Sequence, residues 1–168
     1  TMADPAEVAR LFSALPPAAP EAEMSLLGSM LIDPKMIPDV VGIVADADDF
    51  AKPAHGTVYR HMVELYEKTA TVDIVALVQR LKDHGVLDEV GGSPYLVELC
   101  EGVPTAVNAA EYARLVREKA TLRELIRAAG EILVDAHQSR QDPQLTLGEA
   151  EQRIFRIAQR REARHASG

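Results

Sequence analysis

From Thr105 to about Gln138 the apolar positions step by alternate threes and fours: Tyr112, Leu115, Leu122, Ile126, Ala129, Leu133 and Ala136, with Lys119 as one polar interruption. A period near 3.5 marks a helix that lays a narrow seam against another helix. Val116, Leu125 and Ile132 widen the stripe. A polar turn follows, Ser139 to Gln144 with Asp142-Pro143, and Thr146 and Glu149 then stand at the spacing of a capping box. Leu147, Ala150, Ile154, Ile157 and Arg161 keep the same rhythm. Two seamed helices joined by a short turn predict an antiparallel hairpin. So long a helix cannot bury its whole stripe against a small globule, so part of it is expected to face a partner.

Upstream of the hairpin the pattern is helical too. The 168 residues are 47% hydrophobic but only 4% aromatic, Ala and Leu dominate, and no β-branched run alternates long enough to make a strand. Pro16, Pro17 and Pro20 interrupt the amino-terminal region, which is expected to be a flexible arm over 1–19. Within it, residues 4 to 14 have the makings of a short helix with Asp4 as cap and Pro5 in its first turn. Thr1, ahead of Met2, reads as foreign to the natural chain and is left out of the folding argument.

A helical head is predicted over 20–104. Its first helix runs from Pro20 to about Ile32, with Met24, Leu27 and Leu31 on one face, and stops at Asp33-Pro34. A second lies near Pro38 to Val44, and a third over 54–68 turns Val58, Met62 and Leu65 with Tyr59, Val63 and Tyr66 inward. Asp73 caps a fourth, whose buried stripe is Ile74, Leu77, Val78 and Leu81 and whose stop is Gly85. Gly91-Gly92 makes a turn. Ser93-Pro94 is a cap followed by a first-turn proline, with Tyr95, Leu96 and Leu99 packing inward after it. Asn108 and Glu111 have the spacing of a capping box at the start of the long helix. The hairpin is then expected over 105–162 and a tail over 163–168.

Most catalytic and metal chemistry is absent. Asp46, Asp48 and Asp49 lack the glycine and the distal glutamate of a calcium loop, since Ala51 and Thr57 hold those places, so they are expected to cap a turn. No glycine precedes a lysine, which removes the phosphate-cradling Gly-x-x-x-x-Gly-Lys loop. His55 and His61, six apart on one helix, point to different faces and do not clamp a metal. Cys100 is the lone cysteine, which excludes an intrachain disulfide and fits a reducing compartment; a buried inert thiol is the expectation. No run reaches the roughly 18 apolar residues of a membrane span, and no secretory signal opens the chain, so the cytoplasm is the expected location. The formal charge of -8 argues against nucleic acid as a direct ligand. The late arginines, interleaved with glutamates, read as a solvated, salt-bridged helix pair.

One ordered set of short motifs points further. Pro17-Ala18-Ala19-Pro20-Glu21-Ala22-Glu23 is followed by Asp48-Asp49-Phe50 and His55, then by Val72-Asp73 and Leu77. Gly85-Val86-Leu87-Asp88-Glu89-Val90-Gly91-Gly92 with Tyr95-Leu96 comes next, then Pro104-Thr105-Ala106 with Asn108 and Tyr112-Ala113. Val116-Arg117-Glu118-Lys119-Ala120 with Arg123 and Leu125 ends the set. In this order, over roughly residues 17 to 160, the chain resembles the amino-terminal domain of the DnaB-type replicative DNA helicases of bacteria and their phages. Ala51 departs from the pattern, which often has a second aromatic after Phe50.

The resemblance implies an all-α fold, a globular helical head followed by a long antiparallel helical hairpin. It also implies a role without catalysis of its own: assembly as a dimer and a trimer of dimers, and docking of primase and of a helicase loader. ATP and magnesium are expected only in a motor domain that has no counterpart here, so the chain reads as an excerpt ending before the linker helix. No cofactor or metal is expected within it. A helicase-binding domain at the end of a primase is the alternative, less well matched by the Leu-Asp-Glu-Val-Gly-Gly block. A small acidic enzyme or a DNA-binding regulator is a third, opposed by the missing motifs and the charge. The interface residues expected from the stripe are Val116, Leu122, Leu125, Ile126, Ala129, Ile132, Leu133, Ile154 and Ile157. Of these, Leu122, Ile126, Ala129, Leu133, Ile154 and Ile157 are expected to hold the hairpin together, while Leu125 and Ile132 meet the partner; the alternative is that all of them form the internal core of the hairpin.

Overall fold

The structure is a computed structural model that describes residues 2–167, with side chains through residue 160; Arg161 and the tail expected over 163–168 lie outside the described side chains. Eight α-helices follow in order: α1 (Pro5–Phe12), α2 (Pro20–Ile32), α3 (Ile37–Val41), α4 (Pro53–Thr69), α5 (Ile74–Asp83), α6 (Gly92–Glu101), α7 (Ala109–Gln138) and α8 (Pro143–Ser167). Single 3-10 turns occupy Pro34–Met36 and Ala47–Asp49, and no strand occurs among the described residues. The chain divides into two compact units. One, the head, is Ala18–Ala120; the other joins the residues up to Pro17 with Thr121–Ala166.

The head is built around α2. The sequence pattern puts one face of this helix inward, yet every residue from Leu26 to Leu31 is buried. A helix apolar on all sides belongs in the middle of a core, and α2 packs on α6, α4 and the 34–36 turn. Its approach to α6 is close enough that only glycine fits at position 28. A Cβ there would lie 2.2 Å from the Leu99 carbonyl oxygen and 2.7 Å from Val103 Cγ2. Leu77 and Leu81 of α5, Leu96 and Leu99 of α6, and Ala109, Ala113 and Val116 from the start of α7 complete the core.

A buried polar network ties these helices to one another. Glu23, on α2, is 1% exposed. Its carboxylate accepts the backbone N–H groups of Ala51 (2.7 Å) and Lys52 (3.3 Å) and the Nδ1 of His55 (2.8 Å). An ionised carboxylate only accepts, so Nδ1 carries the hydrogen; in a neutral ring that leaves Nε2 to accept the Tyr95 hydroxyl at 2.6 Å. Burial, and then the Glu98 and Glu23 carboxylates, push the Tyr95 pKa up, which keeps that hydroxyl a donor. Gly91 makes room for Tyr95: its φ is 107°, and a Cβ there would meet the Tyr95 Cβ at 2.8 Å. The second buried pair is Arg117 on α7, donating from Nη1 to Asp49 at 2.9 Å.

Several local signals behave as the sequence predicts. Asp4 and Asp73 accept the N–H groups of Ala6 and Ala76 as caps. Gly85, at φ 69°, closes α5 with a Schellman pair, Val86 N–H to Leu81 and Gly85 N–H to Lys82. Others differ. The helix expected from Pro38 to Val44 runs Ile37–Val41, the chain winding off through Val44. Helix α6 starts at Gly92 with Gly91 as cap, so Ser93 is already inside it, because two left-handed glycines turn the chain before the serine is reached. The long helix starts at Ala109, directly after the Asn108 expected as its cap, and the hairpin region from Thr105 opens on a turn: Thr105 Oγ1 accepts the Val107 N–H, and Ala109 bonds back to Ala106. Of the three acidic residues expected to cap a turn, Asp46 does so, to the Asp48 N–H, but Asp49 is buried in the ion pair with Arg117. A partner 68 residues away leaves no local spacing to read.

Two substitutions test this core. Gly28→Ala should destabilise the head by about 1–3 kcal/mol through overpacking, although the same change in an open helix stabilises by about 1 kcal/mol. A thermal melt that rises instead would show that α2 and α6 can part. Glu23→Ala should cost about 3 kcal/mol or more, since it strands a buried imidazole N–H and two backbone N–H groups at about 1–3 kcal/mol each. Urea denaturation gives the value, and a loss below about 1 kcal/mol would mean that water replaces the carboxylate.

Candidate self-association surface

The second unit is a helical hairpin with the amino-terminal helix beside it. Helices α7 and α8 are antiparallel: Glu124 pairs with Arg160, Glu131 and Asp135 both pair with Arg153, and near the turn Ser139 bonds Thr146. Residue numbers rise along one helix as they fall along the other. Between the 124–160 and 131–153 rungs the buried residues are Ala128 and Ile157, at 4% and 6% exposure. Gln141 donates to Thr146 and Glu149 and orders the turn.

This inner face is not the seam that the sequence puts there. The contacts of α7 with α8 run through 124, 128, 131 and 135, each two residues on from Leu122, Ile126, Ala129 and Leu133. Two residues on a helix are about 200° of rotation, so the three-four seam turns away from α8. Leu122, Leu125, Ile126, Leu133 and Ile154 are each between 39% and 47% exposed, and Ala129 is exposed as well. The expectation that Leu122, Ile126, Ala129, Leu133 and Ile154 hold the hairpin together is therefore corrected; ion pairs flanking Ala128 and Ile157 do so. Only Ile157 of that set lies inside, with Ile132 half-buried. Val116, expected at an interface, is 1% exposed and belongs to the head core, because α7 still lies in the head at that point.

Among the described residues no group of three His, Cys, Asp or Glu is placed to hold a metal. His55 is spent on Glu23 and Tyr95. His61 accepts from Arg80 Nε at 3.1 Å and meets His84 edge-on. Burial, then the neighbouring His84 and Arg80, lowers the His61 pKa. The thiol of Cys100 is pushed up by burial and then by Glu101, which makes it a poor nucleophile at neutral pH. The residue that organises the inner face, Arg153, reads in the sequence only as one charge among many, because its partners Glu131 and Asp135 lie 22 and 18 residues away on the other helix.

The two isoleucines of α8 should respond differently to a charge. Ile157→Asp places a carboxylate between the rungs and should lower the melting temperature of the hairpin and its helicity. Ile154→Asp should leave monomer stability within about 0.5 kcal/mol, as surface changes do. Circular dichroism melts at low concentration separate them; equal losses would place Ile154 inside the hairpin.

Similarity to known proteins agrees with this architecture. The family described as DnaB-like helicase N terminal domain matches residues 15–118. The replicative DNA helicase DnaB of Haemophilus influenzae is 38% identical over 148 residues, which are 88% of this chain and 31% of that protein. The DnaB of Geobacillus stearothermophilus is 36% identical over 155 residues, 92% of this chain and 34% of that protein. The chain thus spans about a third of the length of the curated relatives it matches. The crystal structure of the N-terminal domain of DnaB helicase from Mycobacterium tuberculosis superposes with a TM-score of 0.80 at 36% identity, covering 84% of this chain and 99% of that one. With its all-helical head and its hairpin, the chain belongs to the family of DnaB-like helicase amino-terminal domains.

Proposed function

We propose that this chain is the oligomerisation and partner-docking domain of a hexameric replicative DNA helicase, working in the cytoplasm at the replication fork. The domain does no chemistry itself. ATP and magnesium bind, and DNA is unwound, in a motor domain outside it. Its first partner is a second copy of the chain, as a dimer and then a trimer of dimers. Primase and a helicase loader dock on the resulting collar.

The observation that supports this most is the apolar stripe of α7. Leu122, Ile126, Ala129 and Leu133 lie on one side of a well-formed helix and are left in water by the single chain. A contiguous apolar face of this kind marks an interface. Its three-four spacing is the geometry by which one helix packs on another. The acidic head repels phosphate, so direct contact with DNA is assigned to other parts of the machine. The relatives carry the name of helicases, which favours the helicase side over a primase terminus.

Light scattering across a concentration series tests the proposal. The unchanged chain should show the mass of two or six copies. Leu122→Asp with Leu133→Asp should be monomeric with unaltered helicity, since both side chains are exposed. A chain that stays monomeric at high concentration would overturn the self-association role.

A further inference from the structure

We propose that the amino-terminal helix α1 is a second wall of the self-association surface, and that it helps to seat a second copy of this chain. This rests on the oligomerisation role proposed above and adds a segment to it. Helix α1 is amphipathic, with Val8, Leu11 and Phe12 on one side and Glu7 and Arg10 on the other. None of its residues is buried, and the three apolar ones are 38% to 53% exposed. An isolated helix of eight residues is not stable in water, so its persistence depends on what it lies against.

It lies against α7. The Phe12 ring lies beside Gly130; a Cβ there would be 3.8 Å from the ring Cε1, an ordinary van der Waals contact. Arg123 donates from Nη1 to the Pro17 carbonyl at 2.9 Å. Residue 12 is thus at 130 and residue 17 at 123, so this segment runs antiparallel along nearly two turns of α7. By helical geometry Arg123 and Gly130 are about 80° around α7 from the centre of the exposed stripe and about 120° from the side held by α8. The Phe12 end of α1 therefore adjoins the stripe between Ile126 and Leu133, and together they make a wider surface than either alone.

Charge favours a second copy as the occupant. Residues 1–17 and 121–168 contain nine arginines and nine aspartates or glutamates, so the whole of the -8 falls on residues 18–120. Two copies of the arm and hairpin meet without net repulsion, whereas a basic partner is drawn to the head.

The test compares the full chain with its Leu11→Ser/Phe12→Ser double variant by sedimentation velocity over a concentration series. The variant should associate at least tenfold more weakly, with the thermal melt of the head unchanged, because no residue of α1 belongs to the head core. Phe12→Trp supplies a second readout as the only tryptophan in the chain; its emission should shift to the blue as association proceeds. Unchanged association would overturn the role of α1 and leave the hairpin role standing. Tighter association of the double variant, or a red shift of the tryptophan, would overturn it by making α1 a cover displaced by the second copy. Monomers in every form at every concentration would overturn both.

Discussion

Inside the head, the carboxylate of Glu23 gathers two backbone N–H groups and the imidazole of His55, and the imidazole in turn meets Tyr95. Charged groups are almost never buried without such a full set of partners. The set comes from three helices and one loop, so α2, α4, α6 and the 51–52 segment have to be in register before the burial is tolerable. Apolar packing alone leaves alternatives, since a helix apolar on all sides such as α2 has no preferred face. The network removes that freedom. It also assigns a physical role to three short motifs that are unremarkable singly: the Glu-Ala-Glu entry, the His at the start of α4, and the Gly-Gly turn that lets Tyr95 come close.

The ion pair of Asp49 with Arg117 plays the same part for α7. It fastens the first turns of the longest helix to the 47–49 turn, beside a core contact through Ala113 and Val116. Of the 30 residues of α7, those from Thr121 to Gln138 continue past the point where the head ends. Beyond it the helix must find other company, and it finds α8 through arginine and carboxylate rungs flanking Ala128 and Ile157.

That choice inverts the common arrangement. Apolar residues usually hold a hairpin together and charges face water. Here the rungs of Arg153 and Arg160 occupy the inner side, half-exposed and individually weak, while the leucine and isoleucine stripe is outside. A single hairpin of this kind is only modestly self-sufficient. The proposed assembly would supply the burial that the single chain lacks.

Much of the fold is legible in the sequence. Helix starts at Asp4 and Asp73, the stop at Gly85, the turn at Gly91-Gly92 and the hairpin turn at Asp142-Pro143 are local events, decided by capping atoms and backbone dihedral preferences within a few residues. The period of the α7 stripe is equally local, and it correctly announces a helix with more apolar surface than one chain covers. Which side of that helix meets α8 is a different matter. Positions 122, 126, 129 and 133 and positions 124, 128, 131 and 135 each have helical spacing, and hydrophobicity favours the first set for the inside. The second set won, since its glutamates and aspartate lie opposite Arg153 and Arg160 in the paired helix, a match that exists only once the two helices are aligned. The same holds for Asp49 with Arg117, for Glu23 with His55, and for Phe12 at Gly130. The sequence by itself determined the helices, their ends and the surplus of apolar surface, because these depend on neighbours along the chain. Only the tertiary structure decided which charges are buried together and which apolar face is left open, because those depend on partners from 18 to more than 100 residues away.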